Sequence, residues 1–256
     1  MHAQLTFESF ATAFFIAFGI AALATGTSWR RRGQIAVLSL VIALGILAAS
    51  RLSPDLRGWL GHAYLVAGYW VPALLVPAHH RPGRFEAWLV RGNERWRSFP
   101  RHLPSWIASS LELSYLLCYV LVPIAFGCIW ATGSVADVDR FWTAVLASGF
   151  ICYASLPWLI SRPPRVLHGD QDNGGIRGIN QFVLARVSHG LNTFPSGHVA
   201  VSLAAALEVF AVSRAAGIAL VAIAVAIAVG AVVGRYHYGL DVLLGAALGI
   251  IMSWLM

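Results

Sequence analysis

The sequence predicts an all-α, polytopic membrane bundle of about eight transmembrane helices with no β-sheet. The first reason is composition: 58% of residues are hydrophobic and 11% are charged, with a mean hydropathy of +0.71. Soluble domains carry about 25% charged residues. The second is a series of apolar runs, each near the ~20 residues that cross a bilayer as a helix. The third is the absence of period-two alternation, and the runs are too long for barrel strands.

The runs fall at about 7–26, 34–50, 59–78, 106–131, 141–160, 199–213, 216–234 and 239–256. The 199–213 run is the shortest and carries Glu208. Residues Met1–Ser9, which lead into the first span, contain Glu8 and no basic residue, unlike a signal n-region, so that span is expected to be retained. Arg30, Arg31 and Arg32 join the first two spans, and a Ser-Pro-Asp turn joins the next two. Residues 79–104 interleave six arginines with Phe85, Trp88, Leu89, Trp96 and Phe99. That mixture fits an amphipathic helix in the headgroup layer, or a basic connecting loop with anchoring tryptophans. Asp137 and Asp139 mark an acidic turn before the 141–160 run. The longest polar segment is 161–198, and loops of that length are uncommon without a function. The expected organisation is an accessory portion over 1–104 and a catalytic bundle over 105–256.

All 18 basic residues are arginine, and the net charge is +7. Near membrane ends such charge favours anionic lipid headgroups, and nucleic acid is not an expected partner. Cys118, Cys128 and Cys152 lie inside apolar runs and read as small packing residues. His79 and His80 have no cysteine or carboxylate partner at ligand spacing. No metal or cofactor is expected.

Three polar clusters flank the later runs: Ser161-Arg162-Pro163-Pro164-Arg165, Phe194-Pro195-Ser196-Gly197-His198 and Arg235-Tyr236-His237-Tyr238-Gly239-Leu240-Asp241. The first follows the fifth span and the second begins the sixth. If the sixth crosses and the seventh returns, all three meet at one membrane face. A phosphate needs fixed positive charge around its oxygens. Arg162, Arg165 and Arg235 offer planar forks for it. Ser196 offers a hydroxyl, and Gly197 allows close backbone approach just ahead of a helix N-terminus. His237 and Asp241 stand i, i+4, so the carboxylate can fix the imidazole tautomer and leave the other nitrogen as nucleophile. His198 remains as general acid for the departing oxygen. Taken singly, each cluster also reads as a helix-start turn, a hydrogen-bonded helical pair or a headgroup anchor. His168, Asp170 and Asp172 read as solvated loop polars near the same face.

These residues resemble the type 2 phosphatidic acid phosphatase superfamily, which includes the vanadium haloperoxidases, over roughly 106–256. Pro195-Ser196-Gly197-His198 matches the central motif letter for letter. His237 and Asp241, followed by an apolar helix with Gly245, match the third motif, although Arg235 precedes His237 by two positions where the usual arginine stands six before it. The first motif's lysine is missing, since Ser155 occupies its place. Pro163-Pro164-Arg165 looks more like the branch containing inositol phosphorylceramide synthases and related bacterial membrane proteins, which makes Arg165 the better phosphate ligand and Arg162 the second.

The resemblance implies a metal-free helical active site, a phosphohistidine on His237 and a general acid at His198. The expected substrate is a lipid phosphate or pyrophosphate, hydrolysed in a bed of membrane lipids. With an alcohol acceptor in place of water the same site is a phospho-headgroup transferase. Glu8, Glu112 and Glu208 inside apolar runs motivate a non-enzyme reading, a proton-coupled transporter. On sidedness, the arginine count favours a cytoplasmic site, whereas the resemblance implies the opposite face. Catalytic arginines inflate the count, so the expectation is an integral protein of the cell (inner) membrane with an extracytoplasmic site.

Overall fold

A computed structural model describes residues 5–76, 83–93, 103–167 and 174–256. His79, His80, Trp96, Phe99, His168, Asp170, Asp172 and four of the six arginines between 79 and 104 fall outside these. The described residues form helices α1 (Thr6–Leu23), α2 (Trp29–Ala49), α3 (Pro54–Ala73), α4 (Arg84–Gly92), α5 (Ser105–Leu116), α6 (Cys118–Thr132), α7 (Val135–Ala154), α8 (Pro164–Leu167), α9 (Gly175–Val187), α10 (Gly197–Val212), α11 (Arg214–Val233) and α12 (Gly239–Leu255). Among the described residues the extended pairing is a single antiparallel bridge between Ser161 and Asn192. The fold is all-helical.

Each apolar run of the sequence becomes a helix or a helix pair. α1, α2 and α11 are long and apolar enough to cross a membrane by themselves, and α10 and α12 are shorter apolar helices. The 106–131 run breaks at Leu117 into α5 and α6, which meet at a 58° bend. Pro123 lies inside α6, past the break, where it lacks an N–H and its ring crowds the carbonyl one turn back, at Tyr119. Counting the bent pair once gives up to four long spans, an architecture compatible with about eight crossings.

α7 is the axis. A capping box starts it: Ser134 Oγ accepts the Asp137 N–H at 3.3 Å, and the Asp137 carboxylate accepts the Ser134 N–H at 2.7 Å. Phe141 through Phe150 are then buried without interruption, so neighbours close on every side. α3 approaches it through glycine: a Cβ on Gly61 would lie 2.3 Å from the Trp142 ring, and one on Gly68 would lie 2.1 Å from Phe150. Small residues that let backbones approach are the usual device for packing helices in lipid, where hydrophobicity gives no gain between them. On the lipid side, α2 exposes Val37, Leu40, Val41 and Leu44, and α11 exposes Ile218, Val225 and Val229.

The glutamates inside apolar runs are all paired. Glu8 and Arg57 are both buried, with Arg57 Nε 2.8 Å from Glu8 Oε1. Glu112 accepts Arg177 Nη1 at 2.7 Å. Glu208 meets Arg140 at 2.9 Å and the Ser253 hydroxyl at 2.6 Å. Sequence separation hid these pairs. Asp139, from the start of α7, caps α1 by accepting the Thr6 and Phe7 N–H groups at 3.0 and 2.9 Å. The starts of α1 and α7 and the end of α10 therefore share one end of the bundle. The end of α7 and the start of α10 share the other.

α4 is amphipathic and sits over that second end. Leu89 and Glu86 are buried, Trp88 is exposed, and Phe85 meets the Phe194 ring edge-on at 5.1 Å. The Asn93 side-chain carbonyl accepts the Gly239 N–H at 3.0 Å, tying the end of α4 to the start of α12.

Candidate active site

The turn after α11 sets the geometry. Gly234 ends the helix, and Arg235 follows with φ +58°, a left-handed conformation uncommon for a non-glycine residue. The Arg235 N–H reaches the Val232 carbonyl at 3.1 Å and the Tyr236 N–H reaches Ala231 at 2.9 Å, which closes a Schellman motif. The reversal aims Tyr236 and His237 inward, and α12 begins two residues later.

His237 precedes α12, and Asp241 lies in its first turn. His237 Nδ1 is 3.2 Å from Asp241 Oδ2. A carboxylate only accepts, so the proton of this contact sits on Nδ1 and His237 Nε2 keeps its lone pair. Asn192 Nδ2 donates to the same Asp241 oxygen at 2.7 Å, and the Asp241 carbonyl accepts the Ser196 N–H at 2.9 Å. His198 Nδ1 lies 3.3 Å from His237 Nε2. A buried relay therefore runs Asn192–Asp241–His237–His198, with Asp241 fully enclosed and His237 5% exposed.

α10 and α12 hold that relay in register through bare backbone. A Cβ on Gly245 would stand 2.6 Å from the Ser196 carbonyl oxygen, and one on Gly249 would stand 2.5 Å from that of Ala200.

The cationic residues divide. Arg165, on α8, donates its backbone N–H to the Arg235 carbonyl at 3.0 Å and lays its guanidinium over the Tyr236 ring, 5.2 Å from the centroid. It lines the same small pocket as Thr193, His198 and His237. Arg162 turns its guanidinium to Glu86 of α4, with Nε 2.8 Å from Oε1, and its carbonyl accepts the Tyr238 hydroxyl at 2.8 Å. The Arg235 side chain makes no hydrogen bond or ion pair to another described residue. Ser196 is fully buried with an unpartnered hydroxyl. Gly197 packs on Tyr153, where a Cβ would lie 2.4 Å from the ring, and its N–H is taken by the Thr193 hydroxyl at 3.0 Å.

Several participants were not visible as motifs. Tyr236 stacks face to face on Tyr115 at 3.9 Å, and its hydroxyl donates to Glu112. Burial first, and then the Glu112 carboxylate, push the Tyr236 phenol above its ordinary pKa, so it stays a donor. Asn180 Nδ2 donates to the same Glu112 oxygen at 2.7 Å. Tyr69 of α3 donates to Ser188 at 3.2 Å and stacks on His189 at 4.6 Å. Asn192 carried a signal only as a neighbour of the second cluster.

The pocket beside the histidines encloses about 20 Å³, roughly the space of one water. The arrangement offers an oriented imidazole lone pair, a second imidazole beside it and a cation at the rim, which is the equipment for nucleophilic catalysis at phosphorus.

A family model described as the PAP2 superfamily matches residues 83–255 and so includes α4. Comparison with curated proteins and with solved structures gave no significant match. Members of this superfamily are generally phosphatases or phosphotransferases, which supports a function of that type here. The match spans most of the chain and all three polar clusters, and the chain belongs to the PAP2 superfamily.

Proposed function

We propose that this chain is an integral membrane lipid phosphatase that hydrolyses a phosphate monoester or pyrophosphate through a phosphohistidine. The observation that carries the reading is the relay in which Asp241 fixes the His237 tautomer and leaves Nε2 next to His198.

In the first step His237 Nε2 bonds to phosphorus while the bond from phosphorus to the leaving oxygen breaks. The electron pair departs with that oxygen, which takes a proton from His198. The imidazolium that forms on His237 is stabilised by Asp241 through Nδ1–H. In the second step His198 takes a proton from water as the water attacks phosphorus, and the N–P bond breaks to release phosphate. Arg165 neutralises the phosphoryl oxygens; of the other residues expected on the phosphate side, Arg162 is held by Glu86, the Gly197 N–H by Thr193, and neither Arg235 nor Ser196 lines the pocket. In this reading the site faces the extracytoplasmic side of the cell membrane. Cysteines introduced at Gly174 and Arg140 report that side through their labelling from outside.

The test is phosphate release by purified protein from phosphatidate, phosphatidylglycerol phosphate and a polyprenyl pyrophosphate, with and without inositol. Release from at least one lipid, lost in both His237→Ala and His198→Ala, supports hydrolysis. Product that forms only with the alcohol present replaces hydrolysis with headgroup transfer.

A further inference from the structure

Arg162 and Arg165 stand three residues apart, and their guanidinium groups are held in opposite ways. Glu86 takes Arg162, with Nε 2.8 Å from Oε1, so an anion reaching that arginine has to displace a carboxylate. The Arg165 guanidinium makes no hydrogen bond or ion pair with a described residue. Its neighbour is the Tyr236 ring, with Cζ 5.2 Å from the centroid. An aromatic face attracts a cation through its quadrupole and takes up none of its N–H groups. The flat guanidinium can rest on the ring while its edge still offers a fork of donors. Charge and donors are both left for a phosphate.

A ring places a cation only if the ring is itself fixed, and Tyr236 is fixed in three ways. Tyr115 covers one face at 3.9 Å, with the two planes 3° apart. The phenol hydroxyl donates to Glu112 Oε2. The Tyr236 N–H donates to the Ala231 carbonyl at 2.9 Å in the turn after α11. Glu112 is held in its turn by two side chains of α9, Arg177 Nη1 and Asn180 Nδ2, each at 2.7 Å. Arg177 also approaches the ring, at 6.0 Å, but its charge faces the Glu112 carboxylate. Donation to a carboxylate polarises the phenol and enriches its ring, which tightens the hold on a cation. Glu112 thus acts on the pocket without lining it.

We propose that Tyr236 is the positioning residue for Arg165: its ring, anchored by Glu112 and backed by Tyr115, holds the guanidinium at the pocket without spending a donor. The proposal rests on the reading of Arg165 as the phosphate ligand and adds the residues that place it.

The test uses the full chain in nanodiscs, with inorganic phosphate as the probe. Its binding is titrated calorimetrically to wild type, Tyr236→Phe, Tyr236→Leu, Arg165→Ala and the Tyr236→Leu/Arg165→Ala double variant. Tyr236→Leu weakens binding about tenfold, the scale of one desolvated cation–π contact. Tyr236→Phe keeps the ring, loses only its anchor and weakens binding about threefold. In the Arg165→Ala background Tyr236→Leu adds less than about twofold, because no guanidinium is left to place. Equal losses from Tyr236→Leu in the two backgrounds, or Tyr236→Phe as damaging as Tyr236→Leu, make Tyr236 a fold residue and overturn the proposal. Wild type that takes up no phosphate overturns it too. If Tyr236→Leu shows no cooperative unfolding, Tyr236→Phe is combined with Arg165→Ala and judged by the same coupling. Should no lipid release phosphate, the hydrolytic reading has failed while the titration still decides what Tyr236 does.

Discussion

The backbone N–H of Arg165 donates to the backbone carbonyl of Arg235 at 3.0 Å, so the first and third polar clusters are joined by main chain. This contact holds α8 beside the turn that presents His237. It also gives the two arginines different work. Arg235 contributes its backbone to the junction, whereas Arg165 contributes a guanidinium to the pocket.

Arg165→Ala is therefore expected to reduce kcat/KM on the order of 100-fold, the scale for removing one group that stabilises developing charge. Arg235→Gly relieves the left-handed φ of +58° and is expected to raise stability by about 1 kcal/mol. Its loss of turnover should be smaller than that of Arg165→Ala. Phosphate-release kinetics with thermal unfolding in detergent measure both, and a greater kinetic loss in Arg235→Gly would reverse the assignment.

Asp241→Asn keeps the shape of the relay but puts a donor where His237 Nδ1–H now points. The expected result is a drop in kcat of at least about 100-fold with KM little changed. Asn192→Ala removes the 2.7 Å donor to the same oxygen and should cost about tenfold in kcat while moving the pH–rate profile. A uniform loss of activity with an unchanged profile would mark Asn192 as a fold residue alone.

Replacing the glutamates ranks the buried pairs. Glu8→Gln leaves Arg57, only 3% exposed, without its counter-charge and should destabilise by about 3–5 kcal/mol. Glu112→Gln, facing Arg177 at 15% exposure, should cost about 3 kcal/mol and disturb Tyr236 as well. Glu208→Gln, facing a 45%-exposed Arg140, should cost about 1 kcal/mol. Unfolding midpoints in detergent give the order. A transporter predicts otherwise: proton-coupled uptake lost in Glu112 and Glu208 variants whose stability is unchanged.

His189 sits in the loop before the second cluster, and burial lowers its pKa to about 4. An unfolded histidine takes a proton near pH 6.5. The unfolded state therefore binds more protons between about 4 and 6.5, and the stability from the neutral ring, complete above 6.5, is lost as pH falls through that window. Local amide exchange around Leu191, whose N–H donates to His189 Nδ1 at 3.2 Å, should accelerate over this range. His189→Asn should flatten the dependence. Exchange independent of pH in wild type, after correction for intrinsic rates, contradicts this.

The helices were legible because lipid demands long apolar runs, and the second and third clusters were legible because their residue types and spacings are specific. The break at Leu117 was not, since Pro123 announces a kink without giving its position or angle. Arg162 and Arg165 are three apart and chemically identical; only tertiary structure turns one to Glu86 and the other to the pocket. The partners of Glu8, Glu112 and Glu208 lie 49, 65 and 68 positions away and carry no local signal. Asn192, a plain loop residue in sequence, becomes the orienter of Asp241 because the Ser161 bridge pins its backbone.

Tyr69 belongs to α3, ahead of the family-matched region, yet it closes one wall of the pocket that holds His198. Chemistry and domain ancestry thus have different borders in this molecule. Grafting the front helices of another member onto residues 83–255 would keep His198 and His237 while exchanging the wall that Tyr69 supplies. Chimeras of that kind would separate what the two imidazoles contribute from what the α3 wall contributes.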